Sequence, residues 1–221
     1  QYNNIMSWTN STLTTAIQKY MESTETSFVD NIPNFIKATE EKIVKGVQLD
    51  VFRKNSTGST STSNTYLAMP SDYLSPFSLA VVDGDGDYNY LLLKQSSFIR
   101  DYTPKPATTG QPKYYAEFDD TSFILAPMPD QAYSVELHYF YRPTTLTSYS
   151  DSTTTWLSKN AINAMLYGAL SEAAMYLKNY EAMPVYDQKF QDAMFLLKNL
   201  GEGKSTRDQY RYGEIRRDPQ A

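Results

Sequence analysis

The stretch GQPKYYAEFDDTSFILAPMPDQAYSVELHYFYRP, residues 110–143, decides the fold that we predict for this chain. It contains three segments rich in apolar and aromatic residues. Between them lie Asp119-Asp120 and the run PMPD at 127–130, and both breaks consist of residues that favour turns. We therefore predict three consecutive strands, arranged as a β-meander.

The third of these strands shows an alternating pattern of side chains. Apolar and aromatic residues occupy every second position, namely Tyr133, Val135, Leu137, Tyr139 and Tyr141. A period of two is typical of a strand with one face on an apolar core. The stretch carries no catalytic motif, so we interpret it as a scaffold.

The part of the chain before this stretch begins with two helical patterns. Apolar residues recur at helical spacing between Leu13 and Met21, and again between Ile32 and Ile43. The second pattern ends near Gly46. Two amphipathic helices with a short connection are expected to pack as an antiparallel pair.

A change of period after the second helix indicates strands. We predict two strands that meet in a hairpin turn at Gly58, because the surrounding threonines are good strand formers. Further strands are predicted at 78–82 and 88–93, with a short helix at 95–101.

The pattern of apolar residues in the carboxyl-terminal part of the chain predicts a second pair of helices. The longest helix is expected to begin at Trp156 and to end at Asn179, and another runs from about Pro184 to Gly201. Small residues on the long helix would allow another backbone to approach closely: Gly168, Ala169, Ala173 and Ala174.

Together these patterns predict an α+β fold. We expect a four-helix bundle, formed from the amino- and carboxyl-terminal helical hairpins, with an inserted antiparallel β domain and an extended carboxyl-terminal arm. The predicted boundaries are 1–47 for the first hairpin, 48–146 for the β domain, 147–200 for the second hairpin and 201–221 for the arm.

Composition excludes several classes of protein. The net charge of −5 argues against a surface that grips nucleic acid phosphates. No apolar run approaches the roughly 20 residues of a membrane-spanning helix, and the amino terminus does not resemble a signal peptide. The absence of cysteine excludes disulfides and thiol nucleophiles. We expect no membrane association and assembly in a reducing cytoplasm.

Candidate chemistry is sparse. The acidic residues of DGDGD at 83–87 have the spacing of a calcium loop, but Tyr88 and Lys94 stand where an EF-hand needs glycine and glutamate, so a tight turn is favoured. His138, the sole histidine, lacks a nucleophile motif and is interpreted as structural. The pair Asp119-Asp120 is explained by its turn. We predict no enzyme, no cofactor and no metal site.

Several runs of residues resemble a known family. FVDNIPNFIKATEEKI at 28–43, AMPSDYL at 68–74, the opening stretch, and WLSKNAINAMLYGALSEAAMYLKN at 156–179 are similar to head-to-tail adaptor (connector or neck) proteins of tailed bacteriophages, related to the tubular adaptor of short-tailed phages. This resemblance covers about residues 28–200 in order. It implies a virion structural protein that forms a ring, typically a dodecamer, beneath the portal protein.

The resemblance also implies the partners. Such a ring extends the channel through which genomic DNA passes without specific binding, and it docks the tail nozzle or stopper protein in the neck of the virion, after assembly in the bacterial host cytoplasm. The carboxyl-terminal arm of such proteins often reaches the portal. The matching portal-binding candidates are Arg207, Tyr210, Arg211, Tyr212, Arg216 and Arg217.

Two alternatives remain open from the residues themselves. The arm is either simply disordered or orders on a partner, since arginine and tyrosine are the usual interface anchors. A carbohydrate- or calcium-binding β module of a phage receptor-recognition protein is the alternative to the adaptor.

Overall fold

The computed structural model describes residues 7–105 and 107–209, with residues 202–209 described by their backbone alone. The chain divides into two compact units. The helical unit takes in the chain up to Asp50 and again from Thr144, and the sheet unit is Val51–Pro143.

The helical unit is organised around a central helix, α6. The helices of this unit are α1 (Asn10–Met21), α2 (Thr26–Val29), α3 (Ile32–Gly46), α5 (Trp156–Asn160), α6 (Ile162–Tyr176) and α7 (Met183–Gln209). Helix α6 packs against α1, α3, α5 and α7. Nine of its residues are buried, including Ala164, Met165 and Leu166 in succession, so that its whole circumference is covered.

Small residues let the neighbouring helices approach α6 closely. A Cβ atom on Gly168 would lie 2.4 Å from Cγ2 of Thr39 on α3 and 3.0 Å from the ring of Phe190 on α7. Ala169, Ala173 and Ala174 are fully buried. Side chains of α3 and α7, and not a backbone, are therefore the nearest neighbours of Gly168.

The predicted four-helix bundle is wrong. The described helical unit contains six α-helices of very unequal length, and α6 packs against four of them instead of sharing a core with three equivalent helices. The helix predicted to start at Trp156 breaks at Ala161 into α5 and α6. Helix α7 does not end at Gly201 but continues to Gln209.

The sheet unit holds one mixed sheet of seven strands. Its strands are β1 (Arg53–Ser59), β2 (Tyr66–Ala68), β3 (Tyr73–Val82), β4 (Tyr88–Leu93), β5 (Tyr114–Glu117), β6 (Ser122–Ala126) and β7 (Ser134–Tyr141), with helix α4 (Ser96–Tyr102) between β4 and β5. Their order is β1-β7-β3-β4-β5-β6-β2.

The predicted antiparallel meander is also wrong. Strands β5, β6 and β7 form where they are expected, but β7 pairs with β1 and β3, whereas β6 pairs with β5 and β2. Strands β4 and β5 are parallel because α4 lies in the crossover between them. The predicted hairpin at Gly58 is absent as well, since Gly58 lies inside β1 opposite Val135.

The core of the sheet unit lies on one face of the sheet. The predicted alternation in β7 is confirmed, because Val135, Leu137 and Tyr139 are buried and the residues between them are not. They pack with apolar residues from β2 to β6. On the opposite face, α4 covers only β5 and β6, through a small cluster around Ile99 and Ile124.

Candidate interaction surfaces

The outer face of the sheet, opposite the core, exposes a row of large apolar side chains on β3 and β4. Tyr90 is 64% exposed, Leu92 57%, Tyr88 52% and Phe77 50%. We call these four residues, together with Phe140 on β7, the aromatic face. An antiparallel sheet with one solvated face normally carries polar residues there. Large apolar side chains on such a face indicate a surface that is covered in an assembly.

The carboxylate of Glu136 forms a hydrogen-bond network at the polar edge of the aromatic face. Glu136 on β7 accepts hydrogen bonds from the hydroxyl of Tyr88 at 2.7 Å and from the amide of Asn55 on β1 at 2.6 Å. The His138 ring nitrogen Nε2 lies 3.0 Å from the same carboxylate. Hydrogen bonds from Tyr88 and then His138 lower the pKa of Glu136. The network fixes the position of the Tyr88 ring.

An arginine stacks on the other end of the aromatic face. The guanidinium carbon of Arg53 lies 4.0 Å from the ring centre of Phe77 and 5.5 Å from that of Phe140. The two rings meet edge to face at 6.3 Å. Arginine and aromatic residues are the side chains most often found at the energetic centre of protein interfaces. Their arrangement here is suited to binding protein and offers no group for bond chemistry.

A second exposed apolar surface lies on α7 in the helical unit. Leu196 is 66% exposed, Phe195 63% and Val185 56%. The opposite side of the same helix is buried through Phe190, Met194 and Leu197. A helix with apolar residues on both sides is usually covered on both sides.

No group of His, Cys, Asp and Glu side chains among the described residues could hold a metal ion. The described helices include none that is long and apolar enough to cross a membrane. The features that stand out among the described residues are the two exposed apolar surfaces. The profile of the SU10 adaptor protein family matches residues 8–217, which is nearly the whole chain. The chain belongs to the SU10 adaptor protein family. No curated protein matches it.

Membership of the SU10 adaptor family supports a structural role, as a bacteriophage adaptor protein. It confirms the resemblance found in the sequence, which was carried by runs in both units. The family name also favours a protein that is not an enzyme.

The acidic loop of this SU10 adaptor is a hairpin turn. Asp83 accepts the backbone N–H groups of Asp85 at 3.1 Å and Asp87 at 3.0 Å, and the side-chain amide of Asn89 at 3.2 Å. The hydrogen bond from the backbone N–H of Asp87 is the main cause that lowers the pKa of Asp83. The oxygens of Asp83 are thus used within the loop, and Gly86 takes the left-handed conformation at φ +89°.

The other acidic pair is likewise occupied by its turn. One oxygen of Asp119 accepts hydrogen bonds from the backbone and hydroxyl of Thr121 and from the hydroxyl of Ser122, each at 2.8 Å. These bonds, led by the backbone bond from Thr121, lower the pKa of Asp119. His138 belongs to the network on the aromatic face. The structure does not bring any of these candidates together.

The predicted portal-binding residues fall at the edge of the described chain. Arg207 lies in the last turns of α7, where only the backbone is described. The remaining candidates lie outside the described residues: Tyr210, Arg211, Tyr212, Arg216 and Arg217. Their role stays a prediction.

Sequence reasoning missed the aromatic face. Its signal is the run YNYLLL at 88–93, in which Tyr88, Tyr90 and Leu92 alternate with Asn89, Leu91 and Leu93. The pattern predicts a strand with apolar residues on both faces. It does not indicate which face stays uncovered, because that depends on where α4 packs.

Proposed function

We propose that this adaptor forms a ring beneath the portal protein in the virion neck, extends the channel for genomic DNA, and docks the tail nozzle or stopper protein. A dodecamer would match the usual symmetry of a portal. The mechanism is geometric and electrostatic, without catalysis. Family membership supports the adaptor role, and the two exposed apolar surfaces support association with other protein copies.

The aromatic face carries the proposal. A cyclic ring is built from heterologous contacts, in which one surface of a copy meets a different surface of the next copy. The aromatic face provides such a surface, since Phe77 and Tyr90 are rigid rings that are at least half exposed. Exposed rings with Arg53 stacked at one end and the Glu136 network at the polar edge fit a buried contact with a polar rim.

The chain offers a matched pair of leucines to test this contact. Leu92 and Leu93 are neighbours on β4 with similar exposure, 57% and 51%, but their side chains lie on opposite faces of the sheet. We expect Leu92→Asp to abolish ring formation and Leu93→Asp to leave it intact. Mass photometry of the purified protein with its portal, followed by electron microscopy of the rings, measures both.

Each result of this experiment has a definite meaning. Rings that form equally with Leu92→Asp would show that the aromatic face is not the contact between neighbours. Failure of the unmodified protein to form any ring with its portal would overturn the proposed function itself.

The domain boundaries and the role of the arm are part of the same proposal. We take the segments 1–47 and 147–200 as the helical part, 48–146 as the β domain, and 201–221, whose first residues still belong to α7, as the arm that docks on the portal. Arg207 and Tyr210 are the first of its candidate contacts. An acidic body would let DNA pass through the ring without sticking, since bound phosphates would slow its movement.

A further inference from the structure

The two edge strands of the sheet, β1 and β2, follow each other in the chain but do not pair. They stand at opposite ends of the strand order, where β1 pairs with β7 and β2 pairs with β6. Residues of both strands nevertheless line one cleft of about 230 Å³, which we call the β1–β2 cleft. The sheet therefore curls until its two edges face each other across this cleft.

The lining of the β1–β2 cleft is apolar or carries small hydroxyl groups, and none of its residues is charged. Val135 and Leu137, which belong to the core of the sheet unit, take part in it. Gly58 on β1 contributes no side chain. The volume is below the roughly 300–1,000 Å³ of sites for small molecules. A cleft of this size and polarity suits one or two apolar side chains.

The loop between β1 and β2, residues 60–65, keeps the two strands apart. The backbone N–H of Thr60 donates to the carbonyl of Tyr133 at 2.9 Å, and that of Ser63 donates to the carbonyl of Pro129 at 3.0 Å. Both bonds attach the loop to the segment that leads into β7. The loop is therefore fixed in a position where it does not close a hairpin.

The backbone of β1 offers hydrogen-bonding groups on the side that faces away from β7. Thr60 lies opposite Tyr133 in the register and bonds to it, and in an antiparallel pair such bonded positions alternate with unbonded ones. By this alternation, Asn55, Thr57 and Ser59 direct their N–H and C=O groups away from β7. All three residues are exposed. Their backbone groups form a free edge three residues long.

Strand β2 offers a shorter free edge. The backbone N–H of Met69 donates to the carbonyl of Thr121 on the β6 side at 2.7 Å, so the alternation directs the groups of Ala68 away from β6. The N–H of Tyr66, which has the same direction, already donates to Oδ1 of Asn64 at 3.0 Å. A strand that enters the cleft would therefore pair mainly with β1.

The free edge of β1 lacks the usual protection of an edge strand. Charged side chains, proline or a bulge normally prevent an edge from pairing with another chain. The sequence NSTGS at 55–59 contains no charge and no proline, and its register with β7 has no irregularity. The nearest charge, Lys54, is paired with Asp72 at 2.7 Å. Charge complementarity therefore selects a segment that is uncharged at its centre.

We propose that the β1–β2 cleft binds an extended segment of another protein, which adds to β1 as an antiparallel eighth strand. Backbone hydrogen bonds to Asn55, Thr57 and Ser59 hold the segment, as in other cases of strand addition. The side chains opposite Ser56 and Gly58 are small and apolar, and they fill the cleft.

A lone segment suits the cleft better than a second copy of this chain. A folded second copy presents its edge strands with the rest of the sheet behind them, and β2 occupies the far side of the cleft. The inference concerns the sheet unit of a single copy and does not depend on ring formation.

A tethered peptide tests the proposal, and the absence of native cysteine makes the attachment specific. Ser61→Cys places a thiol on the exposed loop next to Ser59. The probe is the peptide Thr-Val-Thr-Val-Thr, joined to this thiol through a flexible glycine-serine linker and a maleimide at its amino terminus. Tethering gives an effective concentration of about a millimolar. We expect the backbone amides of Asn55, Thr57 and Ser59 to exchange hydrogen at least tenfold more slowly than without the peptide.

The control peptide has the same sequence with its three threonines N-methylated. It keeps the side chains but lacks the N–H groups that would donate to β1. We expect this peptide to leave the exchange of the three amides unchanged, as measured by nuclear magnetic resonance. Equal protection by both peptides would overturn strand addition, and so would an absence of protection by the unmodified peptide.

Two variants of the protein test the same edge from the other side. Thr57→Pro removes an N–H that faces away from β7, and proline is accepted at such positions of edge strands. Thr57→Ala removes the side chain and keeps the N–H. With the unmodified peptide, we expect the protection of Asn55 and Ser59 to be lost in Thr57→Pro and kept in Thr57→Ala.

The remaining outcomes also decide the question. Protection that persists in Thr57→Pro would place the peptide elsewhere than on the free edge of β1. Slow exchange of the same amides without any peptide, together with a dimer in analytical ultracentrifugation, would show that a second copy covers this edge and would overturn the proposed partner.

Discussion

Glu40 lies on α3 with only 7% of its surface exposed. Its Oε1 accepts the backbone N–H of Leu146 at 3.0 Å. Its Oε2 is buried and has no hydrogen-bond partner. This carboxyl holds the segment around Leu146 against α3. A neutral side chain with an acceptor oxygen would hold the segment equally well.

Burial is the main cause that raises the pKa of Glu40, and hydrogen bonds from Thr145 and Leu146 lower it only in part. An acid with a raised pKa in the folded state binds its proton more tightly there than in the unfolded chain. Its contribution to stability is therefore fully present below the unfolded pKa of about 4.5 and is lost as pH rises through the folded pKa.

We predict that Glu40→Gln removes this part of the pH dependence. The glutamine amide stays neutral and keeps an oxygen that accepts the backbone N–H of Leu146. Because it does not ionise, its contribution to stability does not change as pH rises. Relative to the unmodified protein, the variant should gain about 1.4 kcal/mol of unfolding free energy above the folded pKa for each unit by which the pKa is raised. Urea unfolding between pH 4 and pH 8 measures this, and parallel curves for the two proteins would refute it.

At the scale of elements, the packing of α6 rests on a glycine. Gly168 faces Thr39, whose hydroxyl donates to the carbonyl of Phe35 at 2.8 Å and so resists rotation. The ring of Phe190 closes the other side. Two helices meet α6 at a place where it has no side chain.

We predict that Gly168→Ala destabilises the helical unit, by up to about 2 kcal/mol. Alanine favours a helix by about 1 kcal/mol over glycine, but overpacking a core costs about 1–3 kcal/mol, and a Cβ 2.4 Å from Thr39 demands a real shift. Gly84→Ala is the control, because no atom lies within 4 Å of its added methyl. Equal unfolding free energies for the two variants, measured in denaturant, would count against this account.

The elements were predictable from sequence where one local pattern decides them. The alternation of β7 predicted its buried face, and the period of α1 and α3 predicted both helices, since each pattern reports its own neighbours. The pairing of β7 with β1 and β3 was not predictable, because it depends on segments more than fifty residues away in the chain. A hydrophobic pattern does not specify which strand lies alongside.

Two glycines misled the prediction. Gly201 and Gly58 were taken as stop and turn signals. In the structure, Gly201 lies inside α7, where a Cβ would come within 3.0 Å of Leu49, and Gly58 lies inside β1, where it would meet Val135 at 3.6 Å. Close approach explains Gly201, whereas a Cβ on Gly58 would make only an ordinary contact, and the sequence alone distinguishes neither case from a turn.

At the scale of the whole molecule, the helical and sheet units each expose apolar side chains. The aromatic face belongs to one and the outer side of α7 to the other. Two different surfaces on one chain meet the requirement of a ring with heterologous contacts. At this scale the sequence predicted that the two acidic motifs are turns, which the structure confirms. The exposed surfaces needed the fold, because exposure depends on which faces other elements cover.

The continuation of α7 to Gln209 changes where the arm should be cut. Removal of everything after Gly201 would also remove helical residues and would end the chain beside Leu49. A chain that ends after Gln209 keeps α7 whole. We predict that this truncation leaves the unfolding free energy within about 0.5 kcal/mol of the full chain.

The same truncation is expected to abolish docking on the portal, because the arginines and tyrosines proposed as contacts lie beyond Gln209. Co-sedimentation with portal rings measures it. The double change Arg216→Ser with Arg217→Ser should weaken docking, whereas Glu214→Ser with Asp218→Ser, which removes as many charges of the opposite sign, should not. Undiminished docking of the truncated chain would assign portal recognition to the two folded units instead.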